Sequence, residues 1–276
     1  MCFLFPHTPD KFTSTEKMIL EYMSSHRDEF LFMTIGQLSA ALNISEATVS
    51  RFARHVGCDD FKHLKQIVME QTVRKGPAQK LTNTLRSGNG ELLCHCIDQQ
   101  RYNLQKTLEL LDQKEFDRAV RAMLAARCIF IHAKNASRSL AQLLEFRLRR
   151  IGLDVRTIPA GGSEVLEGLV PIQREDLVIL FGFSKVSSEG RVILDYGKEI
   201  GFTTLLFTGR LYPEKEQQAD IHLFVYRGEE NEYHSMSAPA VVVDALVIAL
   251  SAQMGAEAVE NLDAVQMLKE RYRKQI

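Results

Sequence analysis

Two short segments of the sequence place serine hydroxyls beside a lysine directly after an apolar run. The segments are residues 133–137 (AKNAS) and 182–188 (GFSKVSS). Each opens a predicted helix, where unpaired backbone N–H groups and the helix dipole favour an anion such as phosphate. The candidate anion-binding residues are Ser137, Ser184, Ser187, Lys134 and Lys185. A simpler role is also open, because serines commonly cap helices and lysines commonly point into solvent.

A second group of polar side chains lies on one predicted helix, residues 46–56, and suits contact with nucleic acid. Val49, Phe52, Ala53 and Val56 recur at helical spacing and define an inner face. Short hydroxyls and arginines occupy the remaining surface, and they can bond base edges or phosphates in the DNA major groove. We assign DNA contact to Ser45, Glu46, Ala47, Thr48, Ser50, Arg51, Arg54 and Lys62. The alternative is a helical packing module whose charged face is solvated.

Local charge supports the DNA interpretation, although the whole chain has a formal net charge of −1. Bulk charge indicates neither nucleic acid nor membrane binding, so any DNA contact must come from a local patch. The basic residues from position 51 onward are Arg51, Arg54, Lys62, Lys65, Arg74 and Lys75. Fewer acidic residues oppose them, namely Asp59, Asp60 and Glu70.

Two further groups of reactive side chains are weaker candidates. Cys94-His95-Cys96 has the residue types of a metal site, but zinc sites use paired ligands at wider spacings and no second set follows. Glu164 and Glu167 could act as general bases near a strand end. Without a partner at a paired spacing, they are more typical of surface helix carboxylates. We therefore expect no catalytic residue, no metal and no cofactor.

The elements that position the DNA-contact residues have the pattern of a helix-turn-helix. Thr13 and Thr34 each begin a capping box, which predicts helices over residues 13–25 and from residue 34 onward. Asn43 stands where a left-handed turn would end the second helix. Ser45 can cap the next helix, and Gly57 ends it.

From residue 117 onward, short apolar strands alternate with helices, which predicts a parallel sheet covered by helices. The predicted strands are 129–131, 155–158, 177–183, 203–207 and 221–225. The predicted helices are 137–151, 162–169, 188–200 and 239–254, followed by a final polar helix. Ligands of such sheets bind beyond the carboxyl ends of the strands, near a topological switch, and both serine segments lie at such ends.

The region between these two parts is predicted to be helical. Breaks fall at Gly76-Pro77 and at residues 87–90, and an amphipathic helix spans residues 91–111. Its apolar positions are Leu93, Ile97, Leu104, Leu108 and Leu111. This helix could pack on the second domain or pair with a partner subunit.

Composition fits a soluble protein of about two domains. The chain has 276 residues, of which 45% are hydrophobic and 25% charged. Its five cysteines are irregularly spaced, as expected for reduced thiols in a cytoplasm. The first six residues are too short for a signal peptide. The longest apolar run, residues 240–250, is short of the about 20 residues of a membrane span, so we predict a buried helix, a cytoplasmic protein and no membrane contact.

Two stretches resemble known families. The segment TSTEKMILEYMSSHRDEFLFMTIGQLSAALNISEATVSRFARHVGCDDFKHLK resembles the N-terminal domain of the RpiR family of bacterial regulators. The segment DLVILFGFSKVSSEGRVILDYGKEIGFTTLLFT is similar to the SIS (sugar isomerase) domain, the usual partner of such an N-terminus. These resemblances imply a helix-turn-helix domain over 1–77, a helical linker over 78–116 and an SIS-like α/β domain with a five-stranded parallel sheet over 117–276.

The SIS resemblance also implies ligand and subunit contacts. Ser184 and Ser187 match the family's phosphate loop, and Ser137 matches the serine of its first loop. The domain would supply the self-association surface of a homodimer or homotetramer. The chain departs from the family pattern in both loops. Its first loop is not glycine-rich, and its second loop has Gly182 where serine is usual and Lys185 where glycine is usual. The pocket would therefore take an altered ligand or none.

Three functions follow as hypotheses. The preferred one is a regulator of carbohydrate metabolism genes that binds a double-stranded DNA operator and responds to a phosphosugar effector. The second is a sugar-phosphate isomerase with a helical appendage. The third is a regulator whose SIS-like domain only dimerises.

Overall fold

The computed structural model describes residues 3, 5–7, 9, 11–73, 76–87, 91–211 and 218–275. The chain divides into two units, residues 1–87 with 231–233, and residues 88–230 with 234–276. Arg74 and Lys75 of the basic segment, and residues 88–90 of the predicted break, lie outside the described residues.

The first unit is helical in its described part. Its helices are α1 (Ser14–Ser25), α2 (Arg27–Phe32), α3 (Ile35–Leu42), α4 (Glu46–His55), α5 (Phe61–Val73) and α6 (Pro77–Ser87). The predicted caps are confirmed, because Thr13, Thr34 and Ser45 each accept a hydrogen bond from a backbone N–H in the first turn of α1, α3 and α4. Asn43 adopts the predicted left-handed conformation, with φ 53°. The sequence did not predict α2, which has only six residues.

The core of the first unit fixes the orientation of α4. Val49, Phe52, Ala53 and Val56 are at most 1% exposed, which confirms the predicted inner face. They pack with buried side chains of the other helices, including Ile19, Met23, Phe30, Leu38 and Leu64. Because this stripe faces inward, the polar side of α4 is turned to solvent.

The second unit is a parallel α/β sheet with helices on both faces. Its helices are α7 (Leu92–Leu110), α8 (Gln113–Ala125), α9 (Ser137–Arg150), α10 (Glu164–Leu169), α11 (Ser188–Ile200), α12 (Ser237–Met254) and α13 (Ala256–Tyr272). Its strands are β1 (Ile129–His132), β2 (Val155–Thr157), β3 (Leu177–Phe181), β4 (Thr203–Thr208) and β5 (Ile221–Phe224). The predicted strands and helices from residue 129 to 254 are confirmed to within two residues at each end. The sequence did not predict α8, which Asp112 caps.

The sheet order is β2-β1-β3-β4-β5, and every neighbouring pair is parallel. Alternate side chains of the strands enter two apolar layers: Ile129 and Ile131 pack on the side of α8, α9 and α12, and Phe130 packs on the side of α10 and α11. The order reverses between β1 and β3, which is the topological switch where this architecture opens a crevice at the carboxyl ends of the strands. The segments after β1 and β3 are the two that the sequence singled out.

The predicted apolar face of α7 is wrong in part. Leu104 and Leu111 pack against the core of the second unit. Leu93 and Leu108 are 74% and 77% exposed, whereas Asn103 and Thr107 are buried. The Thr107 hydroxyl donates to the Asn103 carbonyl at 2.8 Å and accepts from the Tyr226 backbone N–H at 3.0 Å. The helix thus buries a polar face, because that face satisfies backbone groups of the loop after β5. α6 belongs to the first unit and α7 to the second, while the linker limits 78 and 116 stay a prediction.

The prediction that α12 is a buried helix is also wrong in part. The helix has 18 residues with mean hydropathy 1.6, so by length and composition it could cross a membrane, yet only 33% of it is buried. Val243, Leu246 and Leu250 enter the core beside α8 and α9. Val241 and Ile248, on the other side, are 49% and 69% exposed. The helix therefore has a second apolar face that the described chain leaves in solvent.

Candidate functional site

The outward side of α4 carries a chain of hydrogen-bonded polar groups. The Ser45 hydroxyl caps the helix by accepting from the Thr48 N–H at 3.2 Å, and its oxygen lies 2.8 Å from the Thr48 hydroxyl. Arg51 donates to that hydroxyl at 3.3 Å and to the Ala47 carbonyl at 3.3 Å. The structure therefore brings Ser45, Thr48 and Arg51 together on one exposed stripe at the first turns of the helix.

The other predicted DNA-contact residues lie around this stripe. Ala47, Arg54 and Lys62 are exposed, and Ser50 is half-buried. Glu46 differs from them, because its carboxylate points at α3: a Cβ placed on Gly36 would lie 2.9 Å from its Oε1. An anion is favourable near the start of a helix, so Glu46 stabilises the pairing of α3 and α4.

A contact that the sequence did not reveal holds the end of α4. The His55 Nδ1 atom lies 2.6 Å from Oε1 of Glu16, and the Glu16 carboxylate also accepts from the Thr13 N–H at 2.8 Å. Burial alone would raise the pKa of Glu16, but the hydrogen bonds from Thr13 and His55 lower it on balance. Glu16 thus closes a capping box on α1 and fixes α4 against α1 with one carboxylate.

In the second unit, the loop after β1 supplies the first half of the crevice. Asn135 adopts a left-handed conformation, with φ 51°. Ser137 begins α9 and is 9% exposed. The N-cap of α9 is Ala136, which has no side-chain cap. The N–H groups of Ser137, Arg138 and Ser139 donate instead to the backbone carbonyls of residues 134–136, at 3.1–3.2 Å.

An ion pair joins this loop to α11. Lys134 Nζ lies 2.7 Å from Oε1 of Glu189, and the Ser188 hydroxyl donates to Oε2 at 3.1 Å. The hydrogen bond from Lys134 is the main reason why the pKa of Glu189 falls to about 2. The Lys134 charge, which the sequence analysis offered to a phosphate, is thus already balanced by a carboxylate.

The loop after β3 supplies the other half. The Ser187 hydroxyl accepts from the Gly190 N–H at 3.0 Å, so the simple capping role holds for this serine. Ser184 and Lys185 are exposed. Gly182 is explained by packing, because a Cβ there would lie 3.0 Å from Cγ2 of Val186. The serine that is usual at this position would crowd that contact.

His132 is a residue at this edge that the sequence analysis missed. It is 3% exposed at the carboxyl end of β1, and its Nδ1 lies 3.1 Å from the Pro159 carbonyl. Burial lowers the pKa of His132, so the ring is neutral at pH 7. Its Nε2 atom has no hydrogen-bond partner among the described residues. The sequence could have indicated this residue, because His132 is a histidine directly after the predicted apolar strand 129–131.

The remaining candidates are exposed side chains. Glu164 and Glu167 are exposed in the first turn of α10. Cys94 and Cys96 are exposed on α7. Among the residues that the structure describes, no group of three or more His, Cys, Asp or Glu side chains could hold a metal ion.

Comparison with known proteins gives related findings for both units. A model of the helix-turn-helix domain of the rpiR family matches residues 6–75. The protein described as "Uncharacterized HTH-type transcriptional regulator YbbH" of Bacillus subtilis is 23% identical over 258 residues, 88% of this chain and 87% of that protein.

Two solved structures share the fold. The Vibrio vulnificus NanR protein complexed with ManNAc-6P has a TM-score of 0.62 at 18% identity, and the match covers 95% of each chain. The sugar isomerase domain of an RpiR transcription factor from Sphaerobacter thermophilus has a TM-score of 0.56 at 20% identity, covering 69% of this chain and 98% of that one. The sheet with its flanking helices is therefore the SIS-like architecture expected from the sequence.

The Lys134–Glu189 pair makes stability depend on pH in a defined direction. The folded pKa of Glu189 is about 2 against an ordinary 4.5, so the pair stabilises the fold fully above 4.5 and loses this contribution as pH falls from 4.5 towards 2. We expect Lys134→Met to lower the unfolding free energy at pH 6, with a narrower gap to the parent protein at pH 3, in urea titrations at both pH values.

Lys198→Met is the matched control. Lys198 pairs with Asp195 at 2.9 Å on the exposed side of α11, where an ion pair contributes little. A gap for Lys134→Met that stays constant from pH 6 to pH 3 would contradict the assigned pair.

Proposed function

Residues 6–75 form a helix-turn-helix domain of the rpiR family, and from this premise we propose that the protein is a DNA-binding transcriptional regulator controlled by a phosphosugar. Its operator is double-stranded DNA, its target genes serve carbohydrate metabolism, and it works in the cytoplasm. The observation that carries the proposal is the outward stripe of α4.

The stripe supports DNA recognition through its chemistry and its position. A recognition helix reads bases with residues near its N-terminus, and Ser45, Thr48 and Arg51 occupy the cap and first turns of α4. Arginine can donate two hydrogen bonds to guanine, and hydroxyls can bond bases or phosphates. The hydrogen bonds that Arg51 donates to the Thr48 hydroxyl and to the Ala47 carbonyl hold the guanidinium in a defined direction before DNA arrives.

Phosphosugar binding is supported by the crevice between the loops after β1 and β3. Ser137 and Ser184 make no capping hydrogen bond to a helix N–H in the described structure, in contrast to Ser187, so their hydroxyls are not committed to a cap. The dipole of α9, which begins beside Ser137, favours an anion there. The complex of NanR with ManNAc-6P supports an effector of this class for the related fold. The effector would shift the balance between DNA-binding and non-binding states.

A regulatory role, with no catalytic one, fits the exposed carboxylates of α10. Glu164 and Glu167 lie on a solvent-facing turn, whereas a general base must reach the reacting atoms of its substrate. The named relatives reported above are transcriptional regulators.

The DNA proposal is tested by fluorescence anisotropy on the DNA upstream of the protein's own operon, at one fixed salt concentration. We expect Arg51→Ala to weaken binding by roughly 10-fold or more, because a bidentate arginine–guanine contact contributes about 1–3 kcal/mol. Lys62→Ala should reduce the salt dependence of binding, since a phosphate contact releases counterions.

Arg121→Ala, on the exposed surface of α8, is the matched control and should leave affinity unchanged. Unchanged binding by a folded double variant, Thr48→Ala with Arg51→Ala, would remove α4 as the recognition helix.

A homodimer, or a homotetramer built from it, is part of the proposal. Regulators of this type read paired half-sites about one DNA turn apart. The apolar stripe of α12, defined by Val241, Ala245 and Ile248, lies on the same face as the exposed Asp244. It supplies a surface for a second copy, because a two-fold axis matches one such stripe to another. Exposed apolar side chains on one face are typical of interaction sites.

We expect Ile248→Glu to convert the protein to a monomer in sedimentation velocity, because a carboxylate would be buried without a partner in the paired stripes. Val170→Glu is the control: Val170 is 79% exposed, directly after α10, which packs on the opposite face of the sheet. Loss of association by both variants, or by neither, would exclude α12 as the contact.

A further inference from the structure

An arginine lies over the crevice loop at the carboxyl end of the sheet. Arg227 follows β5, and its Cζ lies 4.1 Å from the centroid of the Phe183 ring. Phe183 is 5% exposed and belongs to the loop after β3, directly before Ser184. The ring therefore holds the guanidinium beside the serine loop.

No carboxylate forms an ion pair with Arg227 in the described part of the chain. Its Nη1 atom makes a contact of 3.9 Å with the sulfur of Met236, and a thioether is a weak acceptor. Glu229 is close in sequence, but its carboxylate accepts from the Tyr226 hydroxyl at 2.6 Å. Burial lowers the pKa of Arg227 to about 10, so the side chain still carries its charge at neutral pH.

This environment is unfavourable for a cation unless an anion joins it. A partly buried charge that lacks a partner costs free energy, whereas an apolar side chain of similar size would pack on Phe183 without that cost. Guanidinium groups bind carboxylates through two parallel hydrogen bonds, and stacking on an aromatic ring orients the remaining donors. The site therefore presents a fixed, unneutralised fork of donors.

Arg227 approaches the loop after β3 from the side of β5. β5 lies two strands from β3, which is about 10 Å along the sheet, and the side chain of Arg227 reaches back to Phe183. Ser137 follows β1, on the other side of β3. A ligand whose phosphate lies at Ser137 would direct its other end towards the guanidinium of Arg227.

We propose that Arg227 binds a carboxylate of the effector, so that the effector is a phosphorylated sugar acid. This inference rests on the proposed phosphosugar site and adds the chemical group at the far end of the ligand. A second anionic group would also account for the departures of the two loops from the family pattern, because such a ligand is held at Arg227 as well as at the phosphate loops.

Isothermal titration calorimetry on the full chain tests this with four probes: 6-phosphogluconate, glucose 6-phosphate, gluconate and inorganic phosphate. We expect 6-phosphogluconate to bind roughly 10- to 100-fold tighter than glucose 6-phosphate, the range of one charged hydrogen-bonded contact. Arg227→Met should remove this preference and leave the affinity for glucose 6-phosphate within about twofold, since the proposal assigns the guanidinium to the carboxylate and the phosphate to the serines.

Three variants separate the possible causes. Arg174→Met, at an exposed position three residues before β3 and at the opposite end of the strands, should change nothing. Arg227→Lys keeps the positive charge but not the paired donors of the guanidinium, so it should keep part of the preference for 6-phosphogluconate. It replaces Arg227→Met in the experiment if that variant does not fold. Ser184→Ala should weaken both phosphorylated probes together.

The outcomes distinguish this inference from the proposed function. Binding of both phosphorylated probes without preference, or equal loss of both in Arg227→Met, would overturn the role of Arg227 and leave the phosphosugar site standing. Binding of neither phosphorylated probe would overturn both. DNA binding by α4 is measured separately and would stand in either case.

Discussion

Burial of one apolar stripe on α4 is the constraint on which the first unit depends. Val49, Phe52, Ala53 and Val56 are withdrawn from water into a core shared with the neighbouring helices. A helix that fixes one face in this way has no freedom to rotate, because turning it would expose the stripe and bury arginines. The ordered array of Ser45, Thr48 and Arg51 on the opposite side follows from that packing, and so does the role of the turn at Asn43, which sets the approach of α3 to α4.

The second unit applies a different constraint. All five strands are parallel and their order reverses between β1 and β3, so the polar loops at the carboxyl ends converge where helices leave the sheet in opposite directions. At this edge, the Nε2 atom of His132 has no hydrogen-bond partner within the described chain, and the guanidinium of Arg227 has a sulfur contact but no carboxylate partner. Native interiors satisfy nearly all buried polar groups. The two groups together make this edge the place where we propose that a polar ligand binds.

Local signals in the sequence were sufficient for most elements. Capping boxes, a left-handed Asn43 and helix-ending glycines depend on neighbouring residues, and the strands depend on short apolar runs, so these features could be predicted. The face of α7 could not, because Thr107 is buried through a hydrogen bond to Tyr226, more than a hundred residues away. The same limit explains the Lys134–Glu189 and His55–Glu16 pairs. Lys134 was recognised as a candidate, but the carboxylate that neutralises it is 55 positions along the chain. Arg227 could not be singled out from its neighbours in the sequence, because its position at the crevice depends on stacking against the ring of Phe183.

Methylation protection of guanine N7 by dimethyl sulfate tests the central claim most directly, because N7 lies in the major groove while the reactive adenine N3 lies in the minor groove. With the full chain on its operator, we expect guanines to be protected in two half-sites about one helical turn apart, and Arg51→Ala to restore methylation at the same guanine in each half-site. Protection confined to adenine N3, or a guanine pattern that Arg51→Ala leaves unchanged, would contradict the placement of α4 in the major groove.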